Sequence, residues 1–158
     1  MSGQVNTSPP LLGQGFFWQD LAPGQRFRTF RRTVTEADLI GFTGLTGMLE
    51  PLFLDATEAG KLGPRPVPAA LTYCLIEGLV LRGMVHGTGL ALLESHHRAL
   101  APVRVGDTVS AVVEVVGVKP TRTGNRAVVA CDVSVSNQEG AIVMTYHVKR
   151  LLAGRGPA

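Results

Sequence analysis

The chain has 158 residues, a formal net charge of +3 at pH 7, and a composition that is 45% hydrophobic, 17% charged and 6% aromatic. That length accommodates one domain and buries roughly two thirds of the unfolded chain's surface, which leaves no room for a second full domain. The composition excludes a disordered or fibrous chain, and with no run of five or six like charges a nucleic-acid partner is not expected.

In chain order, residues 1–15 are rich in Ser, Pro, Gly and Gln and read as a loose arm; 153–158 read as a frayed tail, so the ordered domain is 16–152. A first strand is expected over 25–34. Thr35, with Asp38 three residues later, offers a capping box for a helix running to Leu45. A loop over 46–55 and a short helical turn over 56–61 follow, with Asp55 placed to cap that turn. Pro68 suits the first turn of a long helix, because its missing N–H has no intrahelical partner there. Apolar residues from Ala69 to Val85 cover nearly the whole helix circumference, so this helix must be wrapped by something. Glu77, Gly78, Arg82 and Gly83 interrupt the run, which therefore reads as a buried helix and not a membrane span. From Gly89 the period changes to strand-like runs at 90–100, 108–119, 126–136 and 141–152, separated by segments with turn chemistry such as Thr123-Gly124-Asn125. One early strand, a buried helix and four long antiparallel strands predict an α+β arrangement with the sheet curled around the helix.

The polar N-terminus carries no basic and apolar leader pattern, so a cytoplasmic location is expected. Cys74 and Cys131 both sit among apolar residues without metal-ligand spacing and read as buried reduced thiols; no metal is expected. Arg26, Arg28, Arg31 and Arg32 form a local basic cluster, open to two readings: coenzyme phosphates or a solvated strand.

Several blocks, in this order and spacing, resemble the MaoC-like dehydratases, the family of R-specific enoyl-CoA hydratases with the hot-dog fold. They are Trp18-Gln19-Asp20-Leu21-Ala22-Pro23-Gly24, Arg32-Thr33-Val34-Thr35-Glu36-Ala37-Asp38-Leu39, Leu71-Thr72-Tyr73 with Glu77-Gly78-Leu79, Ala101-Pro102-Val103-Arg104-Val105-Gly106-Asp107-Thr108, and Val135-Ser136-Asn137-Gln138-Glu139-Gly140. The resemblance implies a curved antiparallel sheet wrapped around a long central helix. It also implies an acyl-CoA or acyl-carrier thioester as substrate or ligand, with no other cofactor. The family's signature loop has the form Gly-Asp-x-Asn-Pro-x-His, and the matching place here reads Gly47-Met48-Leu49-Glu50-Pro51-Leu52-Phe53. Gly47 and Pro51 keep the frame, whereas Met48 and Phe53 stand where the family has its catalytic Asp and His. In the family that pair takes a proton from water and delivers one to the α carbon, and neither a thioether nor a benzyl group exchanges such a proton.

Glu50 takes the family's Asn position; buried in an acyl tunnel it would serve as acid or base, and facing solvent it would do neither. Glu77, in mid-helix, has two readings: a thioesterase carboxylate, or a structural hydrogen bond to a neighbouring element. His96 and His97 are adjacent on a predicted strand and point to opposite faces, so at most one looks into a pocket; His147 reads as exposed. The resemblance places backbone N–H donors for the thioester carbonyl at the start of the central helix, where Pro68 donates nothing but Ala69 and Ala70 do, and it adds Thr72, Gly47, Pro51 and Phe53 as substrate contacts. Open sheet edges predict a dimer, and the resemblance, to a family that includes heteromeric dehydratases, implies either a homodimer or a heteromer with a second, catalytic hot-dog subunit.

Overall fold

The computed structural model describes residues 11–58 and 63–156. Its elements in chain order are β1 (Arg26–Arg28), β2 (Arg32–Thr33), α1 (Glu36–Thr46), α2 (Pro51–Leu54), α3 (Ala69–Gly83), β3 (Gly89–Ala99), β4 (Thr108–Pro120), β5 (Arg126–Ser136) and β6 (Ile142–Ala153). The sheet order is β1-β4-β5-β6-β3, every pairing is antiparallel, and β2 adds to β4 beside β1. This is the hot-dog arrangement: an α+β fold in which a curved sheet packs on the central helix α3.

Strict alternation in β4, β5 and β6 explains why the sheet has one buried face. Val109, Ala111, Val113 and Val115 of β4, Val129, Cys131, Val133 and Val135 of β5, and Tyr146, Val148 and Leu152 of β6 all point inward and are buried. α3 meets them with Leu71, Thr72, Ile76, Glu77 and Val80. The four long strands lie within one residue of their expected bounds, since a period of two over ten or more residues is hard to mistake.

α1 starts as its sequence predicts. The Thr35 hydroxyl accepts from the Asp38 N–H at 3.2 Å, and the Asp38 carboxylate accepts from the Thr35 N–H at 2.8 Å. Burial alone would raise the Asp38 pKa, but the Thr35 donors and the Arg32 guanidinium outweigh it and hold the carboxyl below its ordinary value.

Four expectations are corrected. The strand expected over 25–34 is two short pieces, because Arg28 pairs with Val112 and Arg32 with Val109: four steps on one strand face three on the other. Thr29 fills the irregularity, its N–H donating to the Ala111 carbonyl and its hydroxyl accepting from the Ala111 N–H. The loop expected over 46–55 holds a helix, α2, because Pro51 presets the first-turn backbone angle. The turn expected over 56–61 begins as expected, with 56–57 in a turn and 58 helical, and the Asp55 carboxylate accepts from the Thr57 N–H at 2.8 Å as its cap; 59–62 lie outside the described residues. Cys74 is exposed, on the face of α3 turned away from the sheet, whereas burial of Cys131 pushes its thiol up to about 11. His147 is half-buried, with Nδ1 2.6 Å from the Asp132 carboxylate.

The inner face also carries one charged pair. Arg150 of β6, 4% exposed, donates from Nη2 to both carboxylate oxygens of Glu77 on α3 at 2.6 and 2.5 Å, and the Tyr146 hydroxyl donates to Glu77 at 2.8 Å. Burial and the Glu77 charge push the Tyr146 phenol far above its ordinary value, so it stays a donor. Removing one member strands the other in a poorly solvated site. Arg150→Met is therefore expected to lower unfolding stability by about 3–5 kcal/mol in urea titration, while Glu77→Gln combined with Arg150→Met costs clearly less than that single change.

Candidate functional site

The signature-like loop is built on two backbone devices. Gly47 ends α1 with φ of 72°, a left-handed conformation that glycine adopts without strain, and its N–H returns to the Thr43 carbonyl at 2.9 Å. Pro51 opens α2, and the Phe53 N–H closes the turn on the Glu50 carbonyl at 2.9 Å. Between these two points Met48, Leu49 and Glu50 are all exposed, while the Phe53 ring is half-buried and packs on the core.

Glu50 makes no side-chain hydrogen bond among the described residues and faces solvent, so nothing within this chain desolvates its carboxylate. Glu77 stands differently. Its carboxylate is 8% exposed as a residue and has both oxygens engaged by Arg150, one of them also by Tyr146, which matches the structural role that sequence left open.

The start of α3 brings the remaining candidates together. Pro68 caps the helix, and its carbonyl accepts from the Leu71 N–H at 2.9 Å and more weakly from the Thr72 N–H at 3.4 Å. The amides of Ala69 and Ala70 carry no hydrogen bond among the described residues, as expected for the first two positions of a helix. Beside them opens a cavity of about 270 Å³ whose walls include Val67, Ala69, Leu100, Pro102 and Met144. Thr72 also lines it; its hydroxyl is 1% exposed with its residue and has no partner. Free N–H donors, the positive end of a 15-residue helix and an apolar recess with a single hydroxyl make a place where a polarised carbonyl is stabilised and an attached carbon chain is sheltered.

Sequence reasoning could not place Arg150 or Tyr146 at Glu77, because the partners lie 73 and 69 residues away and no local spacing announces them. It did separate the two histidines correctly. His97 turns inward, its ring 4.8 Å from that of Tyr73, and His96 turns outward beside Glu94 at 3.1 Å. Among the described residues no group of three metal-binding side chains converges, and no helix is long and apolar enough to cross a membrane.

Comparison with known proteins agrees with this geometry. A family model described as a MaoC like domain matches residues 19–138. A 3-hydroxybutyryl-CoA dehydratase from Methylorubrum extorquens is 31% identical over 124 residues, covering 77% of this chain and 76% of the relative. An R-hydratase structure from Pseudomonas aeruginosa superimposes with a TM-score of 0.76 at 25% identity, covering 90% of this chain and 88% of that one. A Mycobacterium tuberculosis protein with a double hot-dog fold superimposes with a TM-score of 0.81 at 18% identity, covering 91% of this chain but 47% of that one, a likeness of fold alone. With most of its domain matched by the family model and its fold shared with the solved relatives, the chain belongs to the MaoC-like domain family.

Proposed function

We propose that this protein binds an acyl thioester, with the carbonyl held by the Ala69 and Ala70 amides and the acyl group received in the cavity that Thr72 lines. We further propose that hydration or dehydration through loop positions 48 and 53 has been lost. The observation that carries the reading is the pair of unoccupied helix-terminal donors, the first of which, Ala69, lines an apolar recess. Family membership supports it, since the Methylorubrum relative is named for a coenzyme A thioester. Gly47, Pro51 and Phe53 are assigned the loop wall of the site. Met48 and Phe53 offer no proton, so the family's chemistry at those positions is not available to this chain. Glu50 is the alternative acid or base within the loop, and it acts only if a bound ligand or second subunit removes its water. Glu77 as a thioesterase carboxylate is disfavoured by its ion pair with Arg150.

The same reading includes a second hot-dog subunit. β3 is the sheet's outer edge, and Leu90, Leu92 and Leu93 along it are 51%, 52% and 53% exposed. An unpaired apolar edge of eleven residues is relieved by pairing with another chain. We assign a homodimer, with a catalytic hot-dog homologue as the other candidate; a fold in which this domain matches about half of a double hot-dog chain supports either.

Light scattering is expected to give the mass of a dimer, and a monomer at micromolar concentration contradicts the subunit assignment. Titration calorimetry with butanoyl-CoA is expected to show saturable binding that weakens when Ala69 is changed to Pro, which deletes one donor. The double change Met48→Asp, Phe53→His is expected to raise the hydration rate of trans-2-butenoyl-CoA above the parent's by about two to four orders of magnitude. Absence of saturable binding overturns the thioester reading.

A further inference from the structure

One cluster of titratable side chains lies outside the loop and one helical turn from the thioester donors. Tyr73 follows Ala70 by three residues and Ala69 by four, so all three lie on one face of α3, with a rise of about 5 Å between them. Ser95 and His97 alternate with His96 on β3 and face this side of the molecule. The Ser95 hydroxyl donates to the Tyr73 phenol oxygen at 3.2 Å and lies 3.2 Å from His97 Nδ1. With the Ser95 proton directed at Tyr73, an Nδ1–H that donates to Ser95 completes the chain. In that tautomer Nε2 keeps its lone pair, on a residue exposed along the edge strand. The Tyr73 ring, 4.8 Å from that of His97 and 5.1 Å from that of Tyr146, holds the imidazole in place.

We propose that His97 is the general acid and base of this protein, replacing the proton-transfer pair absent from positions 48 and 53, with Ser95 and Tyr73 as its positioning residues. The proposal rests on the thioester reading above. In hydration of a trans-2-enoyl thioester, the water oxygen bonds to C3 while its proton passes to His97 Nε2. The C2=C3 electron pair moves toward the carbonyl, whose growing negative charge is met by the Ala69 and Ala70 amides. The Nε2 proton is then delivered to C2, giving the 3-hydroxyacyl thioester and restoring neutral His97. One water is consumed, no other reactant is needed, and dehydration runs the same steps in reverse.

The polar groups that face His97 are Ser95 on its own strand, Tyr73 on α3, and Tyr146 opposite it on β6 with the neutralised Glu77–Arg150 pair behind.

The test uses the full chain with trans-2-butenoyl-CoA, followed by loss of the conjugated enoyl absorbance, and butanoyl-CoA as the unreactive ligand. The parent is expected to hydrate the enoyl thioester slowly. His97→Gln lowers kcat by at least about 100-fold with butanoyl-CoA affinity unchanged, and His96→Gln, on the opposite face, alters neither. Ser95→Ala lowers kcat with butanoyl-CoA affinity unchanged, a separation of turnover from binding that a merely structural serine would not show. A parental rate in His97→Gln, or a parent that binds butanoyl-CoA yet hydrates nothing, overturns the proposal alone. A parent that binds no thioester overturns it together with the reading on which it rests.

Discussion

The buried ion pair between Glu77 and Arg150 ties the central helix to the sheet, and the rest of the site depends on where it holds that helix. A carboxylate and a guanidinium in this interior tolerate little displacement, because each loses its compensation if they part. Hydrophobic contact alone leaves a smooth helix free to slide or rotate on a bed of valines. Two bonds from one guanidinium nitrogen and a third from Tyr146 specify one depth and one rotation. At that setting Leu71, Ile76 and Val80 face the sheet, the first turn opens beside the connection from β3 to β4, and Tyr73 rests against His97.

The loop between α1 and α3 takes its shape from two backbone devices. Gly47 and Pro51 act through backbone angle, and they form the same turn whichever residues lie between them. Met48 and Phe53 have gone separate ways: Met48 faces solvent, and Phe53 lends its ring to the core. In the proposed reading, binding of a thioester needs only the amides and the recess, which are main-chain and apolar features, so binding would be separable from proton transfer.

Local rules carried far into the fold. The Thr35 and Asp38 pair, the proline-led helix and the alternating strands each announce themselves within a few residues, and the structure has them where expected. What escaped prediction depends on partners distant in sequence or on which face of an element is covered. The exposure of Cys74 could not be read from an apolar helix, because the sheet covers one side of it and leaves the other exposed. The formation of α2 within the expected loop reflects Pro51 asserting its backbone angle. At the site, Ala69 and Ala70 were legible from the helix start alone, whereas the contact of Ser95 and His97 with Tyr73 required the register of β3 against α3.

The central claim is that the first two amides of α3 receive the thioester carbonyl. Amide chemical shifts of the labelled protein, followed as butanoyl-CoA is added, test it most directly. The account predicts that the Ala69 and Ala70 signals move downfield the most and saturate together with the calorimetric binding curve. Saturable binding that leaves those two signals in place while shifting others would contradict it.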